Sequence, residues 1–103
     1  MARPFHHPAV ADLTLNGVLH ALSDPVRRKL VAKLANCAEL SCSGACDDLP
    51  ASTVSFHHRV LREAGLIRSE KRGVQVINSL RRDDLEQRFP GLLDTILKLD
   101  CSA

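Results

Sequence analysis

Apolar positions recur along the chain in blocks of differing period, and the period changes where Pro, Gly and Asp cluster. Val10, Leu13, Val18, Ala21 and Leu22 form an imperfect helical stripe that predicts a first helix from Ala9 to Leu22, stopped by Ser23-Asp24-Pro25. Asp24 is a good N-cap with Pro25 at the first helical position, and Val26, Leu30, Val31 and Leu34 then carry a second helix to Ala35. From Asn36 to Leu49 the chain is rich in Cys, Ser and Asp around Gly44, which permits only a short, weak helix. Pro50 suits a new start: Val54, His58 and Leu61 share one face of a helix that ends at Gly65. Leu66 to Glu70 and Val74 to Ser79 then read as two strands joined by Lys71-Arg72-Gly73, a hairpin with a basic tip. Finally Leu85, Phe89, Leu92, Ile96 and Leu99 make a seam of spacing four and three, which Pro90-Gly91 should kink or restart.

These elements predict a mainly α chain with one small β-hairpin, an α+β domain. At 103 residues the chain is long enough for one domain and too short for a second of ordinary size. Residues 1–8 mix Pro, His and Arg without periodicity and read as a flexible N-terminal arm, leaving 9–100 as the domain. Together with the first helix the apolar seam can pack inside the monomer or across a two-fold axis; the small core favours the two-fold axis, with Leu13, Leu85, Phe89, Leu92 and Ile96 at the dimer interface.

Composition adds two constraints. Aromatic residues make up 3% of the chain, with no Trp or Tyr, so the core must be aliphatic. The formal charge of +2 is unevenly spread: Ala51 to Arg82 holds seven Lys/Arg against two acids, a net +5, which leaves −3 on the remainder. A basic segment on an acidic remainder fits phosphate contact from one surface, and it equally fits solvated helix and hairpin faces. Met1 to Pro8 has no apolar run that would serve as a secretory signal, and no apolar stretch approaches about 18 residues, so a cytoplasmic protein is expected. In such a reducing compartment, the four cysteines would be free thiols, metal ligands or a redox pair rather than a disulfide framework.

Helix, helix, short helix, helix, hairpin, helix is the order of a winged helix-turn-helix. Two segments sharpen it. Leu19-His20-Ala21-Leu22-Ser23-Asp24-Pro25-Val26-Arg27 resembles the entry into the second helix of the ArsR (arsenical-resistance repressor) family. The run from Ser52 through Arg59 and Gly65 to Ile67 resembles that family's recognition helix and first wing strand. The resemblance covers roughly Leu19 to Leu97 and implies a transcriptional repressor, not an enzyme, that binds an inverted-repeat operator in double-stranded DNA as a homodimer. Carried over residue by residue, it places Ser52, Thr53, Ser55, Phe56, Arg59 and Arg62 against major-groove edges and phosphates, and His57 near the DNA surface, on a phosphate or in a structural hydrogen bond. Lys71 and Arg72 at the wing then meet the flanking backbone or minor groove.

Cys37, Cys42 and Cys46 are the candidate sensor. Glu39-Leu40-Ser41-Cys42 resembles the start of the family's arsenic motif, but Ser43 follows Cys42 and the next thiol is Cys46. Three thiolates suit a thiophilic ion such as trivalent arsenic; the same spacing permits a reversible Cys42–Cys46 disulfide; and small buried hydrophobes are the third reading. His57 and His58 point about 100° apart on a helix and seldom bind one ion together. No His follows His58, so a zinc site on the last helix is not expected. A thiol enzyme would need a base and an oxyanion-stabilising pocket, for which the sequence carries no signature. The remaining alternative is a protein-interaction module of the same fold that has lost DNA binding.

Overall fold

Thr14 decides where the first helix begins. In the computed structural model, which describes residues 5–36, 40–41 and 49–101, Thr14 is extended and its Oγ1 accepts the Gly17 N–H at 3.0 Å. The helix expected from Ala9 is therefore split into a single 3-10 turn at Val10–Asp12 and α1 at Leu15–Ala21. A side-chain oxygen that caps N–H groups is worth more at a helix start than in its interior, so Thr14 overrides the apolar period. Asp24 caps α2 (Pro25–Asn36) in the same way, its Oδ2 accepting from Val26 N at 2.9 Å and Arg27 N at 3.1 Å. Burial disfavours the ionised Asp24 carboxylate, but the Arg27 N–H, the Arg27 and His57 charges and the Val26 N–H outweigh it and hold its pKa below the ordinary value.

Among the described residues the short strand β1 (Leu40–Ser41) is followed by α3 at Ala51–Glu63, about 20 Å long, with Pro50 just outside it rather than at its first turn. Gly65, at φ +88°, reverses the chain into β2 (Ile67–Arg72). A side chain there would be strained, and its Cβ would overlap Leu13 Cδ2, so the extended Leu13 segment lies directly over this turn. β2 and β3 (Gln75–Leu80) pair antiparallel from Ile67↔Leu80 to Arg72↔Gln75. β2 runs further toward the tip than expected, to Arg72, whereas β3 begins at Gln75 rather than at Val74. The turn is Gly73-Val74, with Gly73 at φ +62° and no positive φ at Val74, the pattern of a type II′ hairpin. β1 adds a third strand on the far side of β3, giving the order β1-β3-β2, which the sequence pattern did not foretell.

Pro90-Gly91 does restart the last helix: α4 is Arg82–Arg88, α5 is Leu92–Cys101, and Gly91 lies between them at φ +78°. The break sends the seam to two places. Leu85 and Leu93 join Leu13, Val18, Leu30, Val31, Leu34, Leu61, Leu66 and Ile67 in one aliphatic core. Leu13 and Leu85, expected at a dimer interface, are each 2% exposed within the monomer and belong to that core instead. Phe89, Leu92 and Ile96 are half-buried against it, while Leu15, Leu19 and Leu99 face outward. No helix among the described residues is long and apolar enough to cross a membrane.

Candidate nucleic-acid interface

α3 divides cleanly by side. Val54, His57, His58 and Leu61 are buried, whereas Ser52, Ser55, Phe56 and Arg59 are exposed and Thr53 is half-exposed. Phe56 stands out, since an aromatic ring 56% exposed on a helix otherwise facing solvent with hydroxyls and a guanidinium contributes little to this fold. Among the described residues Arg59 pairs with Glu63 one turn on, at 3.0 Å with both side chains exposed, an ion pair of small energy. The exposed row is therefore a set of hydroxyl donors and acceptors, one apolar ring and one cation along about two turns of helix.

The buried side fixes how that row is presented. Arg27, from α2, is 7% exposed, and its guanidinium donates to Ala21 O at 2.6 Å, to His20 O at 3.4 Å and to His57 Nδ1 at 3.2 Å. Arginine has no acceptor, so His57 Nδ1 must offer its lone pair and the ring proton of neutral His57 sits on Nε2. One side chain thus ties the end of α1, the start of α2 and the middle of α3 together. His58, on the same side, is 2% exposed; burial, then the Arg62 and His57 charges, push its pKa down to about 4.

The wing continues the surface. Lys71 and Arg72 are exposed at the end of β2, with Arg72 3.2 Å from Glu70, and Val74 at the turn is 99% exposed. At the other end of the hairpin, Arg62 of α3 donates to Ser69 Oγ at 3.0 Å, and Ser69 Oγ donates to the buried Asn78 Oδ1 at 2.6 Å. These bonds set the angle between α3 and the wing.

Comparison with known proteins agrees with this geometry. Residues 22–70, which span α2, α3 and most of β2, match a family model described as a helix-turn-helix domain. The uncharacterized HTH-type transcriptional regulator YceK of Bacillus subtilis is 35% identical over 82 residues, covering 77% of this chain and 82% of that protein. The chain belongs to the HTH-type transcriptional regulators. Among solved structures, that of an ArsR family transcriptional regulator superposes on this regulator with a TM-score of 0.66 at 24% identity, over 86% of this chain and 92% of the other. The fold is thus the ArsR-type winged helix-turn-helix, in a family of transcription regulators rather than enzymes.

Set against the sequence, the regulator brings Ser52, Thr53, Ser55, Phe56 and Arg59 onto one helix side and Lys71 and Arg72 onto the adjoining wing. Of the two roles expected for His57, a phosphate contact or a structural hydrogen bond, the structure shows a hydrogen bond: the ring is 9% exposed and bonded to Arg27. Arg62 is half-buried at the root of the wing and committed to Ser69. Val74, expected as the first residue of the second strand, instead forms the wing tip with Gly73. Cys37, Cys42 and Cys46, the expected thiol sensor, lie outside the described residues. Among the described residues, no three His, Cys, Asp or Glu side chains converge to hold a metal ion.

Proposed function

We propose that this regulator is a cytoplasmic repressor that binds an inverted-repeat operator as a homodimer, with α3 of each protomer in a major groove and the wing tip on flanking backbone. The observation that carries the reading is the exposed row on α3, Ser52, Ser55, Phe56 and Arg59, which serves no purpose in the core. Hydroxyls and a guanidinium meet base edges and phosphates, and the Phe56 ring packs on a thymine methyl. Lys71 and Arg72 add phosphate contacts that carry affinity but no sequence information.

A second exposed surface supports the dimer. Leu19, Leu22, Ile96 and Leu99 line a groove of about 380 Å³ between α1 and α5, with the Arg28–Asp100 pair, 3.0 Å apart, also in its lining. An apolar groove that includes an ion pair suits a two-fold contact, in which each protomer offers the same leucines to the other. The interface is then built by Leu92 and Ile96 together with Leu15, Leu19 and Leu99. Release from DNA is assigned to Cys37, Cys42 and Cys46, which either bind trivalent arsenic as thiolates or lose two electrons and two protons to an oxidant in forming a Cys42–Cys46 disulfide. Either event favours a dimer whose recognition helices no longer match successive grooves.

Fluorescence-anisotropy titration of the reduced protein with duplex from its own promoter tests this reading. Binding that weakens with salt at a slope of about −0.9 per neutralised phosphate, and that arsenite or a mild oxidant reverses, is the expected result. Binding reversed by neither would remove the thiol signal, and no binding to duplex would replace the repressor with a protein-interaction module.

A further inference from the structure

Residues 5–8, read from the sequence as part of a loose arm, are docked on the wing. His7 Nε2 accepts the backbone N–H of Ser69 at 2.9 Å, and the Phe5 ring lies under the Arg62 guanidinium, 4.4 Å from its centroid. Ser69 is consequently a junction: its N–H is given to the arm, its hydroxyl donates to Asn78 of β3, and the same oxygen accepts from Arg62 of α3. β2 lies at the edge of the sheet, so the Ser69 N–H has no further strand to pair with and the His7 lone pair satisfies it.

The surroundings of His7 are one-sided. The charged groups acting on its ring are Arg68 from β2, Arg81 at the head of α4, Arg62 from α3 and, within the arm, His6; all are basic. Asp84 of α4 is already paired with Arg81 Nε at 2.9 Å, and Arg81 Nη1 is buried with no hydrogen-bond partner among the described residues. A proton on His7 would replace an accepted hydrogen bond with an N–H facing N–H and would add a cation to three guanidinium groups in a partly desolvated place.

We infer that residues 5–8 form a proton-released latch, which neutral His7 holds on the α3–wing junction through Ser69 and which protonated His7 lets go, freeing Phe5 from Arg62. Burial first, and then Arg68, Arg81 and Arg62, hold the docked His7 below the ordinary histidine range. The sign follows: the docked arm is favoured at neutral pH and is lost as pH falls through the lowered value of the docked ring. Release unclamps the guanidinium that sets the angle between α3 and the wing, so operator affinity should change with it. That consequence rests on the repressor reading, whereas the latch does not.

NMR of the full chain at pH 7.5 and at pH 5 tests the latch without DNA. At pH 7.5 the Phe5 ring should show contacts to the Arg62 side chain, and the Ser69 amide should carry the shift of a hydrogen-bonded edge amide. Both should be lost toward pH 5, the docked-to-free ratio falling by up to about tenfold per pH unit. His7→Gln offers a neutral acceptor at either pH and should keep the arm docked throughout, while His7→Ala should free it at both. Equal pH dependence in the wild type and His7→Gln, or no Phe5–Arg62 contact at pH 7.5, would overturn the proposal. If the latch behaves as expected but duplex is not bound, the repressor reading fails and the latch stands.

Discussion

The regulator leaves two surfaces uncovered, and they differ in chemistry. Along α3 the exposed residues are Ser52, Ser55, Phe56 and Arg59, mixed and directional; across α1 and α5 they are Leu15, Leu19 and Leu99, apolar and without direction. Hydroxyls and guanidinium groups discriminate because they fit some donor and acceptor patterns and not others, whereas leucines reward only the exclusion of water. In the proposed repressor the first surface reads a sequence and the second joins identical chains. Both are held in place by the same small core, with Arg27 and His57 fixing α3 and the Pro90-Gly91 break releasing α5 toward the outside.

Changes to this scaffold should have the largest effect, because they disturb both surfaces together. Gly65→Ala forces an L residue to φ +88° and drives a methyl into Leu13, so it should cost roughly 3 kcal/mol or more, seen as a lower midpoint in urea or thermal unfolding. Acid should act next. His58 titrates at about 4 in the folded chain against an ordinary value of 6.5, so its contribution to stability is complete above pH 6.5 and is lost as pH falls toward 4. Denaturant titrations across that range should show a decline on the order of 2 kcal/mol from this group, and His58→Leu should flatten that part of the profile.

Single-surface variants should then separate the two faces. Leu19→Glu places a carboxylate in the apolar groove and should raise the dimer dissociation constant by about tenfold or more in sedimentation equilibrium, with the monomer fold unchanged by circular dichroism. A wild type that is monomeric at every concentration would remove the dimer half of the comparison. Arg59→Ala should weaken duplex binding by roughly tenfold and lower the salt slope by about one, while leaving the dimer constant untouched. An Arg59→Ala variant that alters assembly, or a Leu19→Glu variant that alters affinity only through base contacts, would show that the faces are not separate.

Local signals made most of this legible from sequence. Asp24-Pro25 located α2, the period of Val54, His58 and Leu61 located α3, Gly65 marked its end, and Pro90-Gly91 marked the break before α5. The failures came where a distant residue decided the outcome. Leu13 fits a helical stripe, yet Thr14 caps the next helix and Leu13 instead covers Gly65, some fifty positions away. The sequence leaves His57 with either a phosphate contact or a structural hydrogen bond, and the bond it makes is to Arg27, 30 residues earlier. The docking of His7 on Ser69, across 62 residues, has no periodic signature at all. Of the candidate interface, the α3 row and Lys71 and Arg72 were readable; the Val74 tip and the outward leucines required knowing where the hairpin turns and where the last helix breaks.

Hydroxyl-radical footprinting of the promoter duplex tests the central claim most directly. Two mixed surfaces joined by one apolar interface should protect two backbone segments on the same side of the duplex, their centres one helical turn of about 10–10.5 bp or a whole multiple of it apart, with matching inverted sequence beneath them. A single protected segment, protection without inverted symmetry, or no protection at concentrations that saturate anisotropy would contradict it.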